Sequence, residues 1–248
     1  REIRSKKRAP VSTLHLGGGT PSRMPLALLE GILKAVRESF VLRKSAEVAI
    51  ECNPSDAEVF GAYPALGINR LSLGVQSFDD KELKYLGRDH DAAQALRAAE
   101  LARKAGFRNL SLDLIYGLPG QTLAGWRKTL KKALTLEPEH LSVYALMLTG
   151  AKKLSGPPLP DDKTAARMAL EATERLESAG LSQYEISNFA RPGFESRHNL
   201  AYWTFQPYLG LGVGAHSYLP PKRFSNVAQT PEYVKRVLAG TSPQGFSE

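Results

Sequence analysis

Strand-like runs alternate with helical stripes along most of this chain, and that rhythm limits its fold more than any other feature. Alternating or β-branched runs stand at 12–16 (STLHL), 47–52 (EVAIEC), 69–75 (NRLSLGV), 109–115 (NLSLDLI), 139–146 (EHLSVYAL) and 182–186 (SQYEI). Between two of them, Leu123, Trp126, Leu130, Ala133 and Leu134 recur at the spacing of one helical face behind a Thr122 cap, with Pro138 just past the end. Ala165, Met168, Ala169, Ala172 and Leu176 do the same behind Asp161 and Asp162 and stop at Gly180, and Ala92, Leu96 and Ala99 form a third stripe stopped by Gly106. Such alternation predicts parallel β-α units, wound either as an open sheet or as a barrel.

The polar residues separate these two arrangements. GGGT ends the first strand, Glu51 and Asn53 the second and Gln76 the third, while Asp113 lies late in the fourth. A barrel gathers its site from the carboxyl ends of several strands, whereas a doubly wound sheet concentrates it at one switch point. The chain is therefore read as α/β, a partial (incomplete) TIM-like barrel with six visible strands. Residues 1–225 are expected to form this domain, with 150–160 as a mobile loop and 226–248 as the start of a truncated C-terminal region.

At 248 residues, 42% of them hydrophobic, the chain can bury a sizeable core. No run of about 18 apolar residues exists and the basic start REIRSKKRAP lacks the apolar stretch of a secretory signal, so no membrane span is expected and the default location is cytoplasmic. The net charge of +8 is spread over helix-like segments, and the cluster Arg4, Lys6, Lys7 and Arg8 has no interleaved aromatic residue, so nucleic acid is not an expected partner. The single cysteine, Cys52, excludes internal disulfides and a self-contained Cys-rich metal or iron–sulfur site, and it reads as a buried, inert thiol.

GGGTP (17–21) is not a phosphate loop, because no Gly-Lys-Ser/Thr follows it; a tight turn and a ligand cradle both suit it. Nor is GLGVGAH (210–216) a dinucleotide fingerprint, and it reads as a flexible or close-packed turn. At one barrel mouth, Glu51 and Asp113 can hold an ammonium or ribose hydroxyls, Arg88 a carboxylate, and Gln76 either, while the N–H groups of Gly17, Gly18 and Gly19 can take an amino acid carboxylate. That set suits a zwitterionic, nucleoside-like ligand; the alternative is a network of caps and surface pairs. RHNLAYW (197–203), read by itself, is a structural histidine among packed aromatics in a turn-rich segment.

TLHLGGGTPS, IECNP, INRLSLGVQSFDDKELKYLGRDH, LSLDLIYGLPGQT, HLSVYAL and YEISNFARPGFESRHNLAYW occur in this order. From about residue 10 to about residue 225 the chain thereby resembles the radical SAM family in its coproporphyrinogen-oxidase-like branch, and within it the heme chaperones. The resemblance implies a partial barrel that binds S-adenosylmethionine (SAM) and a [4Fe-4S] cluster. It carries SAM contacts onto Gly17, Gly18, Gly19, Thr20, Glu51, Gln76, Arg88 and Asp113, and a heme role onto His198, Tyr202 and Trp203, which with Asn199 match the branch's His-Asn-x-x-Tyr-Trp element; His216 is a weaker candidate.

The family's three cluster cysteines are expected upstream of Arg1, and its C-terminal domain beyond Glu248, so these residues alone are expected to bind SAM weakly and not to cleave it. The loop near 150–156 and the helix near 55–60 look shorter than the family pattern. Two functions follow from the resemblance. One is a heme chaperone that binds heme as cargo and delivers it to an acceptor protein, with an electron donor as a further partner and peripheral membrane contact through the acceptor. The other is an oxygen-independent coproporphyrinogen III oxidase, an oxidoreductase acting on a porphyrinogen.

Overall fold

The computed structural model describes residues 10–147 and 157–247. The basic cluster at Arg4–Arg8 and most of the loop expected at 150–160 lie outside the described residues. The described residues fall into two compact units, one drawn from residues 10–14, 25–47 and 196–247, the other from residues 15–24, 48–147 and 157–195.

Strands β1 (Pro10–Leu16) and β2 (Val41–Cys52) run through both units, and their carboxyl ends belong to the second. There they are joined by β3 (Arg70–Gln76), β4 (Leu110–Tyr116), β5 (His140–Ala145), β6 (Ser182–Gln183) and β7 (Asn188–Ala190), in the spatial order β1-β2-β3-β4-β5-β7-β6. The pairs β2–β3, β3–β4 and β4–β5 are parallel, with Glu51 opposite Ser72 and Asp113 opposite Ser142. Among the described residues the sheet stays open, with β1 and β6 at its edges, as in an incomplete TIM-like barrel.

Period-two alternation assigns the two faces. Leu71, Leu73 and Val75 of β3, Leu110, Leu112 and Leu114 of β4, and Leu141 of β5 are fully buried. The residues between them are Ser72, Gly74, Gln76, Ser111, Asp113 and Ser142. Strands of a parallel sheet covered on both faces usually read as continuous apolar runs. Here one face is apolar and the other is small or polar, which leaves room and chemistry on the inner side.

The second unit also holds α2 (Asp80–Tyr85), α3 (Ala92–Lys104), α4 (Leu123–Leu134) and α5 (Asp162–Ser178). Asp91 closes a reciprocal capping box with Gln94, Thr122 accepts from the Gly125 N–H at 3.0 Å, and Asp161 accepts from the Thr164 N–H at 2.7 Å. On α3 the small residues Ala95, Ala98, Ala99 and Ala102 are buried, which lets the helix lie close on β3 and on the 3-10 segment Pro54–Ala62. Where α4 meets α5, the fully buried Trp126 donates its indole N–H to the Met168 carbonyl at 2.9 Å. Beside it, Arg127 forks onto Glu171 at 2.9 and 2.5 Å, and its hydrogen bonds, with those of Arg175, pull that carboxyl down to about 2.

The segment at 182–186 departs from the expected sixth parallel strand. β6 and β7 form an antiparallel hairpin, and β7 runs antiparallel to β5. The chain reverses because the Glu185 carboxylate takes the Ser187 N–H at 2.9 Å and the Gln183 side chain donates to the Ile186 carbonyl at 2.9 Å, closing a turn where a strand was read.

The first unit contains α1 (Leu26–Ser39), α6 (Arg197–Trp203), α7 (Thr230–Ala239) and an antiparallel sheet of β8 (His216–Leu219), β9 (Lys222–Asn226) and β10 (Gln244–Ser247), ordered β10-β9-β8. The glycine-rich stretch before β8 is close-packed: a Cβ on Gly210 would collide with the His216 carbonyl. RHNLAYW is a helix, where turns were expected. Among the described residues no helix is long and apolar enough to cross a membrane.

Replacing Trp126 by Ala is expected to lower the unfolding free energy by about 3–5 kcal/mol, through lost burial and an emptied space between α4 and α5. Trp126→Phe, which loses chiefly the hydrogen bond, is expected to cost about 1–2 kcal/mol in urea titrations. Equal costs for the two variants would show that packing at this seam does not hold the helices.

Candidate functional site

At the carboxyl ends of β1 to β4 the second unit has a cavity of about 160 Å³ lined by Gly19, Thr20, Pro21, Glu51, Cys52, Asn53, Ser72, Gly74, Gln76, Arg88 and Asp113. Six of the eight residues expected to contact SAM are in that lining. Gly17 and Gly18 precede Gly19 in the same loop and are not in that lining.

The three glycines have separate reasons. A Cβ on Gly17 would lie 2.6 Å from His15 Nε2 and 2.8 Å from Glu51 Oε1, so no side chain fits. Gly18 and Gly19 have φ of 80° and 66°, in the left-handed region that a glycine enters without steric cost. The loop they form is held by Glu51, which accepts from the Gly18 N–H at 3.2 Å and meets His15 Nε2 at 2.9 Å. His15 thus fixes one oxygen of the carboxylate.

Asp113 projects from β4 onto the inner face, where Ser72 donates to its two oxygens at 3.1 and 3.2 Å. Burial pushes its carboxyl up to about 6, against the opposing pull of the Ser142 and Ser72 hydroxyls, and the neighbouring Glu51 carboxylate adds to the rise. Burial likewise drives the Cys52 thiol well up, with Asp56 and Glu51 adding to it, which disfavours the thiolate although the residue lines the cavity.

Gln76 has a φ of 67°, unusual for a residue with a side chain. It is the centre of a γ-turn in which Ser77 N–H donates to the Val75 carbonyl at 2.8 Å, and the β3–β4 register shifts between Leu73 and Gln76. Gly74 makes this possible, because a Cβ there would stand 2.9 Å from Gln76 Nε2 and 3.2 Å from an Arg88 nitrogen. The sequence signal for it was a lone glycine inside a strand, which often marks a close approach.

Arg88 donates to the Gly74 carbonyl at 3.2 Å, while its Nε is buried with no hydrogen-bond partner among the described residues. Burial holds the guanidinium below its ordinary range, and Asp113 pulls the other way. A buried cationic donor left unsatisfied beside a cavity is costly, and a ligand acceptor would relieve that cost. Beneath the cavity, Ser22 donates to Asp56 at 2.6 Å and accepts from the Asn53 N–H at 3.0 Å, Asn53 donates to Asp89 at 3.0 Å, and Arg23 pairs with Asp89. These bonds tie the loops after β1, β2 and α2 together.

The residues expected at heme are in the first unit, on α6. Backbone N–H groups of Arg197 and His198 donate to Glu47 at 3.2 and 3.1 Å and seat the helix start. His198 Nδ1 is 3.2 Å from Thr13 Oγ1 and its Nε2 is 2.8 Å from the Tyr202 hydroxyl. Tyr202 meets the rings of His198 and Tyr208 edge-on, at 4.9 and 4.5 Å between centroids. Trp203 is 49% exposed and Phe205 66%. His216, on β8, is exposed.

The family model of the radical SAM superfamily matches residues 1–133. The heme chaperone HemW of Escherichia coli K12 is 42% identical over 210 residues, 83% of this chain and 56% of that protein, and HemW of Bacillus subtilis 168 is 39% identical over 235 residues, 90% and 62%. The mouse mitochondrial radical S-adenosyl methionine domain-containing protein 1 is 41% identical over 220 residues, 86% and 50%. The chain thus spans between half and two thirds of the length of these relatives. The structure of coproporphyrinogen III oxidase (HemN) from Escherichia coli, a radical SAM enzyme, superposes with a TM-score of 0.85 at 28% identity, covering 96% of this chain and 59% of that one. The glycine loop, the polar inner face and the matched sequence agree: this chain belongs to the radical SAM superfamily.

Proposed function

We propose that the cavity at the ends of β1–β4 binds SAM, and that the whole protein is a heme chaperone like the HemW proteins it is similar to, carrying heme to an acceptor protein with an electron donor as partner. The observation that carries the cofactor reading is the charge set of the cavity: a buried guanidinium nitrogen without a partner, two carboxylates and a loop of glycine N–H groups. Superfamily membership implies SAM together with a [4Fe-4S] cluster.

The residues present fit SAM. Arg88 and the N–H groups of Gly17 and Gly19 suit the carboxylate of its methionine part, Glu51 and Asp113 suit its ammonium and ribose hydroxyls, and Gln76 can bond to either. They do not supply the cluster: the sequence has one cysteine, and among the described residues no group of three His, Cys, Asp or Glu is placed to hold a metal ion. When bound, SAM supplies a sulfonium-activated carbon; the chain's own residues bind, orient and shield it.

In this reading Asp113→Ala and Gln76→Ala each weaken SAM binding about tenfold or more, the loss of about 1.5–3 kcal/mol for a hydrogen bond to a charged partner. The pH dependence follows from Asp113. Its raised carboxyl makes the ionised form costly without ligand, so its stabilising contribution to the free protein is full below about 4 and lost as pH rises through about 6. A cationic ligand prefers the ionised form, so affinity rises with pH through about 6 and levels above it. Asp113→Asn abolishes that step; calorimetry showing the same pH profile in wild type and variant sinks the assignment.

The heme reading rests on His198 beside the Tyr202–Tyr208 aromatic wall. To ligate iron, the ring must exchange its Tyr202 hydroxyl for the metal, so His198→Ala is expected to change the Soret band of the heme complex and Tyr202→Phe to strengthen binding. A Soret band unmoved by His198→Ala removes it as a ligand.

The similarity to HemN at a TM-score of 0.85 supports a second reading, oxidative decarboxylation of coproporphyrinogen III. Full-length protein with reconstituted cluster, SAM, reductant and coproporphyrinogen III is expected to give no decarboxylated product by mass spectrometry. Product above a Gln76→Ala control would establish the oxidase and displace the chaperone.

A further inference from the structure

His90 lies below the cavity with its side chain wholly buried. Its Nε2 is 3.1 Å from the Val75 carbonyl. A carbonyl only accepts, so Nε2 carries the proton. That same carbonyl accepts the Ser77 N–H at 2.8 Å across Gln76, whose φ is 67°. A γ-turn with positive φ is rare, and a non-glycine residue in a sparsely populated region persists only where its surroundings hold it. The second bond, from His90, supplies such a hold at the one acceptor on which the turn closes.

The ring also reaches the neighbouring strand end. Its Nδ1 stands 3.1 Å from Asn53 Oδ1, and since that oxygen only accepts, the contact becomes a hydrogen bond only with a second proton on the ring; the Asn53 amide is itself oriented by donation from Nδ2 to Asp89 at 3.0 Å. Asn53 follows Glu51 and Cys52 directly and lines the cavity. One imidazole therefore touches the chain on both sides of the site, next to Gln76 and next to Glu51. Arg88, two residues earlier in the same loop, enters the cavity, so a shift of the loop would move two binding groups at once.

We propose that His90 is the positioning residue of this site, locking Gln76 in its left-handed conformation through the Val75 carbonyl and so aiming its carboxamide into the cavity. The role deepens the SAM reading, and the affinity half of its test rests on that reading; the conformational half does not.

The test uses the full-length, cluster-reconstituted protein with His90→Leu, His90→Gln, Gln76→Ala and the His90→Leu/Gln76→Ala pair. Glutamine keeps an N–H donor at a reach similar to that of Nε2, and leucine keeps bulk only. His90→Leu is expected to weaken SAM binding about tenfold, His90→Gln to restore most of it, and His90→Leu in the Gln76→Ala background to add less than about twofold, the coupling of residues that act through one another. Without ligand, isotope-labelled protein is expected to exchange the Ser77 amide at least about tenfold faster in His90→Leu, with the Gln76 carbon shifts leaving left-handed values, and to recover both in His90→Gln. An equal loss of affinity with and without Gln76, or a Ser77 amide still protected in His90→Leu, overturns the proposal. If wild type binds no SAM, the cofactor reading falls and the exchange data alone decide the positioning role. Should His90→Leu not fold, His90→Asn, too short to reach Val75, takes its place.

Discussion

Everything at the candidate site depends on how the parallel strands divide their two faces. Leucines at every second position of β3 and β4 are shut away from water on one side. At about 25 cal/mol per Å² of apolar surface, burying such a row fixes the strand faces strongly. A slip of one residue would bury Ser72, Asp113 and Ser142 among the helices and turn the leucines inward, so register and site are set by the same energy. The polar inner face is thus a consequence of the apolar outer one. It needs no separate stabilisation beyond the hydroxyls that satisfy Asp113.

Close approach is the second constraint. Gly17 leaves room for His15 and Glu51, and Gly74 leaves room for Gln76 and Arg88. In both places a missing Cβ lets a charged or amide group lie against the backbone of its neighbour. The strain at Gln76 belongs with them: the strand ends in an unusual turn, and the group carried on that turn lines the cavity. Strained backbone concentrated at a cavity, with ordinary backbone in the leucine layer, is the usual distribution at a functional site.

Much of this could be read from residues. The four parallel strands, the helices behind them and the placing of Glu51, Gln76 and Asp113 at strand ends follow from period, two helix caps and the carboxyl-end rule, whereas Arg88, in the loop after α2, is brought to them by the fold. The hairpin at β6–β7 was misread because SQYEI has strand composition, while its reversal is made by side-chain bonds from Gln183 and Glu185 that composition does not announce. Helix α6 was read as turn-rich because none of its residues is buried, so it has no apolar stripe. The roles of His15 and His90 were invisible for another reason. Each depends on a partner at least 15 residues away in sequence, Glu51 or Val75, brought near only by the sheet.

The two tryptophans of the chain sit in different units and in opposite surroundings. Trp126 is sealed between α4 and α5 with its indole N–H bonded, whereas Trp203 on α6 stands half in water. The molecule therefore has two native optical reporters with distinct colours. A sheltered indole emits to the blue and resists an aqueous quencher, and an open one emits to the red and yields to it. Fluorescence resolved by wavelength follows the barrel unit and the unit bearing α6 separately, without any label.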